Sequence, residues 1–435
     1  MLPAPAVRLD EVAARALDAG LRRVQLLAWR DLDDPEAGGS ERHAHHVASL
    51  WAGAGLDVTL RTSTAVGHPA RVERDGYHVH RAGRRYSVFP RSALAGLAGR
   101  GPRPDGLVEI WNGMPFLSPV WARCPRVVFL HHVHAEMWQM VLRPGRARLG
   151  ELMERRLAPP LYRNTSVVTL SESSRAEIVS MLGLRPGRVR VVPPGIDPVF
   201  TPGTARAPEP TVVAVGRLVP VKRFDVLMDA LVQVKRHIPG LRAVIVGEGY
   251  ERARLEAHRR SLGAEGWIDM PGFMDQASLV DIYRSAWVLA STSQREGWGM
   301  TISEAGACAT PAVVSRIAGH RDAVEDGVSG LVVGGATSAR SRARWHHTSD
   351  EDGTAPRHGG ARPTGSAGPG SDPSALAAGL GAGLRAVLID GSLRARLGRA
   401  ARRRALALTW EATAAGALEP LVEEVGARRE PLRRG

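Results

Sequence analysis

Two carboxylates and two cations are the groups whose types and spacing could do chemistry. The stretch SQREGWGMTISEAGACATP (293–311) sets Glu296 and Glu304 eight positions apart, around a Gly297-Trp298-Gly299 turn that opens a helix near Met300 or Thr301. Paired carboxylates can act as acid and base on either side of a scissile bond, but these two flank one turn of one domain. A carboxylate also accepts hydrogen bonds from neighbouring hydroxyls at both oxygens. The N–H groups of Trp298 to Thr301, at the helix start, can hold a hydroxyl or a phosphate. A purely structural reason, acidic residues favoured by the helix dipole, covers Glu296 alone. Further upstream, Arg217 and Lys222 follow a strand at the point where it runs out into a loop. Cations there could hold an anion, and one whose charge grows in a transition state most tightly. For Arg217 taken alone, a surface salt bridge is the simpler explanation.

Two further places carry weaker signals. Gly38-Gly39-Ser40 follows the first strand and opens a helix, where bare backbone N–H groups could approach a phosphate. The alternative is an ordinary loop with Ser40 as N-cap. His131 ends the run RVVFLHH (126–132), and His132 and His134 follow it. An HHVH run raises a metal site. His131 and His132 would point to opposite faces of an extended strand, however, and no Asp, Glu or Cys cluster completes a coordination set. No metal is expected.

The elements that must position these groups alternate along the chain. Apolar runs at 23–29, 57–63, 77–82, 107–112, 126–132, 166–172 and 188–194 read as strands, with amphipathic stretches such as 40–54 and 173–182 between them. Near-continuous apolar strands alternating with helices argue for a parallel sheet covered on both faces. The Pro- and Gly-rich segment 193–210 reads as a linker. The alternation then restarts at 211–217, 241–249, 267–273, 287–292, 311–316 and 330–333. This predicts an α/β chain with domains at 1–200 and 201–410, and a last helical segment, 411–435, packing back on the first domain. Residues 336–371 are rich in Gly, Ser, Pro and charge and nearly free of aliphatic side chains. They read as a disordered surface insertion.

Composition narrows the class. The formal net charge is +14, yet of 58 basic side chains only Lys222 and Lys235 are lysine. That bias, without a zinc-finger, RNP or basic-zipper pattern, reads as compositional, so no nucleic-acid partner is expected. Basic clusters with apolar neighbours at 80–91 and 143–156 leave an anionic membrane surface open as a partner. Cys124 and Cys308 lie in apolar stretches, which fits buried thiols in a reducing compartment. Asp10 and Glu11 interrupt the apolar core that a signal peptide would need. The expected location is the cytoplasm, with peripheral attachment at the inner face of the membrane left open.

With the pieces assembled, a resemblance emerges. VAVGRLVPVKRFDVLMDAL (213–231), VIVGEGYERARL (244–255), PGFM (271–274) and STSQREGWGMTISEAGACATPAVVS (291–315) are similar in order and spacing to retaining nucleotide-sugar glycosyltransferases of family 4. GGSERHAHHVASLWAGAGLDVTL (38–60), VVFLHH (127–132), LSESSRAEI (170–178) and VRVVPPGID (189–197) extend the match into the first half. The resemblance implies a GT-B fold, with two facing Rossmann-like domains and the active site in the cleft between them. It implies a nucleoside-diphosphate sugar donor of undetermined base, a hydroxyl acceptor (lipid, glycan, polyol or natural product), and no cofactor or catalytic divalent cation.

The same resemblance assigns roles. His131, Glu296, Arg217 and Lys222 would be catalytic. Gly38, Gly39, Arg217, Lys222, Glu296, Gly297, Trp298, Gly299, Met300, Thr301 and Glu304 would bind the donor, with Glu304 on the ribose and Glu296 on the sugar. The Asp-x-Asp within 31–34 falls in the loop after the first strand and reads as loop solvation. Trp298 stands for a commoner phenylalanine, and Ala309 for a glycine usual before Thr310-Pro311. A phosphorylase, a nucleotide-sugar epimerase and a basic surface-binding protein remain the alternatives.

Overall fold

The computed structural model describes residues 8–99, 103–334 and 372–433. The proposed insertion at 336–371 lies outside the described residues. Two compact units form: one from the described parts of Met1–Phe200, Arg295–Ala307 and Arg403–Gly435, the other from Thr201–Gln294 and Cys308–Arg402.

The first unit is built on strands β1 (Arg23–Leu27), β2 (Asp57–Thr62), β3 (Arg71–Arg74), β4 (Tyr77–Arg81), β5 (Gly106–Ile110), β6 (Arg126–Phe129), β7 (Ser166–Thr169) and β8 (Val189–Val191). They form one eight-stranded sheet in the order β3-β4-β2-β1-β5-β6-β7-β8. Every pairing is parallel except β3 with β4. That edge hairpin is absent from the sequence reading, yet its turn is written plainly: Asp75 and Gly76 both adopt positive φ, 45° and 81°. An Asp-Gly pair with two positive φ angles is the two-residue turn whose twist matches antiparallel strands.

The apolar strands are buried from both sides. On one face Val12, Val47, Trp51 and Phe129 share a core with Ala414, Leu418 and Leu421 of the helix Trp410–Arg433. The Trp51 indole N–H donates to Ala414 O at 2.9 Å. On the other, Trp111, Leu130, Tyr162 and Ile178 pack together.

The second unit carries β9 (Thr211–Val215), β10 (Arg242–Val246), β11 (Ile268–Gly272), β12 (Val288–Ser291), β13 (Ala312–Ser315) and β14 (Gly330–Val333). Its six strands run parallel in the order β11-β10-β9-β12-β13-β14. Helices Phe224–Lys235 and Pro373–Ile389 bury Leu227, Leu231, Leu380 and Leu384 against Val212 and Ile245.

Residues Arg295–Ala307 group with the first unit, where Arg295 donates to Val133 O at 2.6 Å and to Glu177 Oε2 at 2.5 Å. Two sequence expectations need correction. Asp31 is not solvated, and Asp33 is partly buried. Asp31, 1% exposed, accepts from Arg74 Nη1 at 2.8 Å and Arg81 Nε at 2.6 Å, and Asp33 accepts from the same two arginines. Cys308 is buried as expected, but Cys124 is only half-buried.

Ala309 has φ +59°, a left-handed conformation that costs an L-residue about 1–2 kcal/mol. Its carbonyl is held by Arg206 Nη2 at 2.6 Å, and Arg206 Nη1 also donates to Ala286 O at 2.5 Å. Ala309→Gly should relieve the strain, offset in part by the greater freedom of unfolded glycine. The expected net gain is about 0.5–1 kcal/mol, read as a rise of about 1–3 °C in the melting temperature. A lower midpoint would show that the strain is not there.

Candidate active site

In a doubly wound sheet, ligands collect beyond the carboxyl ends of the strands, where the winding reverses. In the first unit β1 lies between β2 and β5, so that point falls between β1 and β5. In the second unit β9 lies between β10 and β12. Gly38 follows β1, Arg217 and Lys222 follow β9, and Glu296 follows β12.

The loop after β1 leads to Gly38, which caps the helix Gly39–Gly53. Ser40 is therefore inside the helix and not its N-cap. Glu41 reaches back: its Oε2 accepts the Gly38 N–H at 2.8 Å and the Ser40 hydroxyl at 2.9 Å. Asn112, just past β5, donates to Ser40 Oγ at 3.1 Å. A buried carboxylate at this helix start offsets its positive end. That carboxylate is itself paired with the buried Arg30, whose Nε lies 3.4 Å from Glu41 Oε1. Met300 meets Gly39 here, its Sδ 3.5 Å from where a Gly39 Cβ would lie.

His131 lies two residues beyond the end of β6 and is 6% exposed. Its Nε2 faces His43 Nδ1 at 3.3 Å, the rings edge to face at 80°. Burial lowers the His131 pKa to about 4, and burial followed by the neighbouring His131 and His46 lowers that of His43 well below the usual value. Both imidazoles are neutral at pH 7. His131 can therefore polarise an oxygen as a neutral hydrogen-bonding group, without the charge of an imidazolium. The other histidines go elsewhere: His132 and His134 stack at 4.9 Å. Among the described residues no three or more His, Cys, Asp or Glu side chains are grouped to hold a metal ion.

The Gly297 turn presses on this histidine. A Cβ at Gly297 would lie 2.6 Å from His131 O, so only glycine permits the approach. Ser174 Oγ, part of the Ser171-capped start of the helix Glu172–Leu182, donates to Gly297 O at 3.3 Å. Trp298 is 6% exposed and its indole N–H donates to Ser303 Oγ at 2.9 Å, which ties the turn to the helix Met300–Ala307. Glu304 is buried on that helix, Glu296 and Gly299 are half-buried, and Thr301 lies in its first turn.

In the second unit the loop after β9 runs from Gly216 through exposed Arg217 to the short turn Pro220–Lys222. The Lys222 stem crosses Gly216, its Cε 3.3 Å from where a Cβ would be. Lys222 O accepts from Thr292 Oγ1 at 2.9 Å, and Val221 O accepts the Gln294 N–H at 2.8 Å. The loops after β9 and β12 are thereby locked together. Behind them Ser315 donates to Ser293 O at 2.6 Å, and buried His320 bridges Ser291 and Ser315.

Sequence reasoning missed three supporting groups. Glu109, fully buried, accepts from Phe116 N–H and Tyr162 OH, both at 2.6 Å. Glu154, also fully buried, accepts the N–H groups of His134 and Ala135 at 2.8 and 3.0 Å and fixes the loop beyond His131. His43 had a legible clue, since it sits four residues before Val47 and eight before Trp51, on the buried stripe of its helix.

Two Rossmann-like α/β units, each with loops gathered at a switch point, define the GT-B class of fold. The chain matches the family model "Glycosyltransferase Family 4" over 37–200 and "Glycosyl transferases group 1" over 200–344. It is a glycosyltransferase similar to those of family 4. It is 35% identical over 216 residues to the D-inositol 3-phosphate glycosyltransferase of Acidothermus cellulolyticus, a match covering 45% of this chain and 47% of that protein. It is 29% identical to the protein of the same name from Kribbella flavida, over 74% of this chain and 85% of the relative. Among solved structures, sucrose-phosphate synthase from Thermosynechococcus elongatus superposes with a TM-score of 0.71 at 20% identity, covering 95% of this chain and all of that one. Anabaena HepE in complex with UDP-glucose gives 0.62 at 16% identity, over 94% and 99%. These likenesses carry the fold.

Proposed function

We propose that this glycosyltransferase moves a hexosyl unit from a nucleoside-diphosphate sugar to a hydroxyl acceptor with retention of configuration and without a metal ion. The observation that carries the reading is the locked pair of loops at the β9/β12 switch point, one of which bears Arg217 and Lys222. Arg217 and Lys222 hold the diphosphate and stabilise the charge that builds as the glycosidic bond breaks. Glu304 holds the ribose, and Glu296 the hydroxyls of the transferred sugar. His131, neutral, meets the sugar as a hydrogen-bonding partner, and the departing phosphate takes the acceptor proton. An inositol phosphate is the first acceptor to test, because the relatives named above carry that substrate in their names. A thermal-shift screen against uridine, guanosine and adenosine diphosphate sugars identifies the donor. The right one at 100 times its dissociation constant should add about 2.7 kcal/mol; no shift with any of them would sink the donor assignment.

A peripheral membrane contact is part of the same proposal. Leu149, Leu152, Leu157 and Leu161 are 45–59% exposed, in a stretch that also holds Arg143, Arg146, Arg148, Arg155, Arg156 and Arg163. Leucines turned outward among arginines match an anionic lipid surface. The protein should co-sediment with vesicles of phosphatidylcholine and phosphatidylglycerol, less so in high salt and not with phosphatidylcholine alone. Leu149→Glu with Leu157→Glu should abolish it. Equal recovery with both vesicle types, or concentration-dependent dimers lost in the double variant, would overturn this part. Among the described residues no single helix is long and apolar enough to cross a membrane.

A further inference from the structure

We infer that His43 is a positioning residue that fixes the tautomer of His131, so that His131 presents Nδ1–H to its ligand as a hydrogen-bond donor and not as a base. The inference rests on the transferase reading for the role of His131, but its structural half stands apart from it. His43 sits in the first turns of the helix Gly39–Gly53, 1% exposed, with its ring against Phe129 at 5.5 Å and Trp410 at 6.0 Å. Its only polar neighbour in hydrogen-bond reach, among the described residues, is His131 Nε2, 3.3 Å from His43 Nδ1.

Two neutral imidazoles facing each other nitrogen to nitrogen share one proton. There are two ways to place it. If His131 donates from Nε2, then His43 must carry its own proton on Nε2, a buried atom with no partner. If His43 donates from Nδ1, the same buried Nε2 is a bare acceptor. Orphaned buried N–H groups are rarer than under-satisfied acceptors, so the second arrangement wins. His131 then accepts at Nε2 and must carry its proton on Nδ1, the nitrogen that faces away from His43. His43, 1% exposed, has Phe129 and Trp410 against its ring, away from solvent that could relay the proton.

The consequence for the reaction is specific. A ligand oxygen that gains negative character meets an N–H that is already oriented and costs no reorganisation. The Gly297 turn, pressed on the His131 carbonyl and Cβ, holds the residue's backbone in place, while His43 holds the ring's far nitrogen. A proton acceptor at this position would not serve an oxygen that is becoming more negative.

Long-range 1H–15N correlation spectra of ligand-free protein labelled in histidine read the tautomer directly at pH 7, with His131→Asn identifying the signal. His131 should be protonated on Nδ1 in the unaltered protein. His43→Asn, whose amide N–H can replace the Nδ1 donor, should keep it so, and His43→Leu should release His131 to the Nε2–H form. With the donor found by thermal shift, His43→Leu should lower kcat about tenfold to a hundredfold at a KM within about twofold of the original, and His43→Asn should recover most of it. Nε2 protonation of His131 in the unaltered protein, or the same tautomer in His43→Leu, overturns the inference. So does a changed tautomer with unchanged kcat. The spectra need no turnover, so absence of transferase activity would strike the functional reading and leave the tautomer result standing.

Discussion

Lys222→Ala should cut turnover by about 10²–10³-fold while leaving donor KM and the melting temperature nearly unchanged. The loss belongs to kcat because charge on the leaving diphosphate grows only as the glycosidic bond breaks, and an interaction made mainly in the transition state does not show in ground-state binding. Lys222→Arg should not restore the rate. A guanidinium is planar and longer than an ammonium, and the lysine stem is seated over Gly216 with its Cε 3.3 Å from the position of a Cβ. Gly216→Ala should therefore act through Lys222, displacing it by a few tenths of an ångström at a cost of about tenfold in kcat. Steady-state release of nucleoside diphosphate, with kcat and KM separated, checks all three. A Lys222→Ala enzyme with unaltered kcat would remove this residue from the chemistry.

The second large effect is on acid stability. The pKa values of His131, His46 and His134 are lowered to about 4, chiefly by burial, and that of His43 is lowered well below the usual value by the same cause. An unfolded histidine titrates near ~6.5. Between about pH 6.5 and 4 the unfolded chain binds protons that the folded chain does not, so stability rises with pH across that window and is lost on acidification. Each group contributes about 1.4 kcal/mol per pH unit there. Glu109 and Glu154, whose carboxyl pKa values burial raises, work in the opposite direction, but they are two against these four and His45 and His80, whose pKa values burial also lowers. Asp31 adds to the acid loss lower down. Burial would raise its pKa, but the hydrogen bonds from Arg74 and Arg81 outweigh this and hold it below the usual value. The melting temperature should be flat from pH 8 to 7 and fall steeply from about 6.5 to 4. His43→Asn should flatten the slope, and a level profile in the unaltered protein would contradict the buried neutral dyad.

What could be read from the sequence follows from how local each signal is. The parallel strands were legible because strands covered on both faces are apolar along their whole length, as in 126–130 and 311–315. The short edge strand Arg71–Arg74 was not, since half its side chains face solvent and four residues carry no period; only Asp75-Gly76 marked it. Glu296 and Glu304 were found from their spacing around the Gly297-Trp298-Gly299 turn, Arg217 and Lys222 from a loop that follows a strand directly, and the roles of all four came from the family resemblance. Their significance as switch-point residues needed the strand order, which no local pattern encodes. Glu109 and Glu154 escaped notice because a carboxylate in a strand or a basic helix looks like surface until its N–H partners are seen. His43 and His131 stand 88 residues apart, so nothing near either one announces the other.

The central claim is best tested on the product itself. The purified protein, incubated with the donor that stabilises it and an inositol phosphate acceptor, should yield a glycoside whose anomeric proton coupling in 1H NMR reports the configuration of the donor, with Glu296→Ala yielding none. A product of inverted configuration, or a Glu296→Ala enzyme that makes product as fast as the original, would contradict the account.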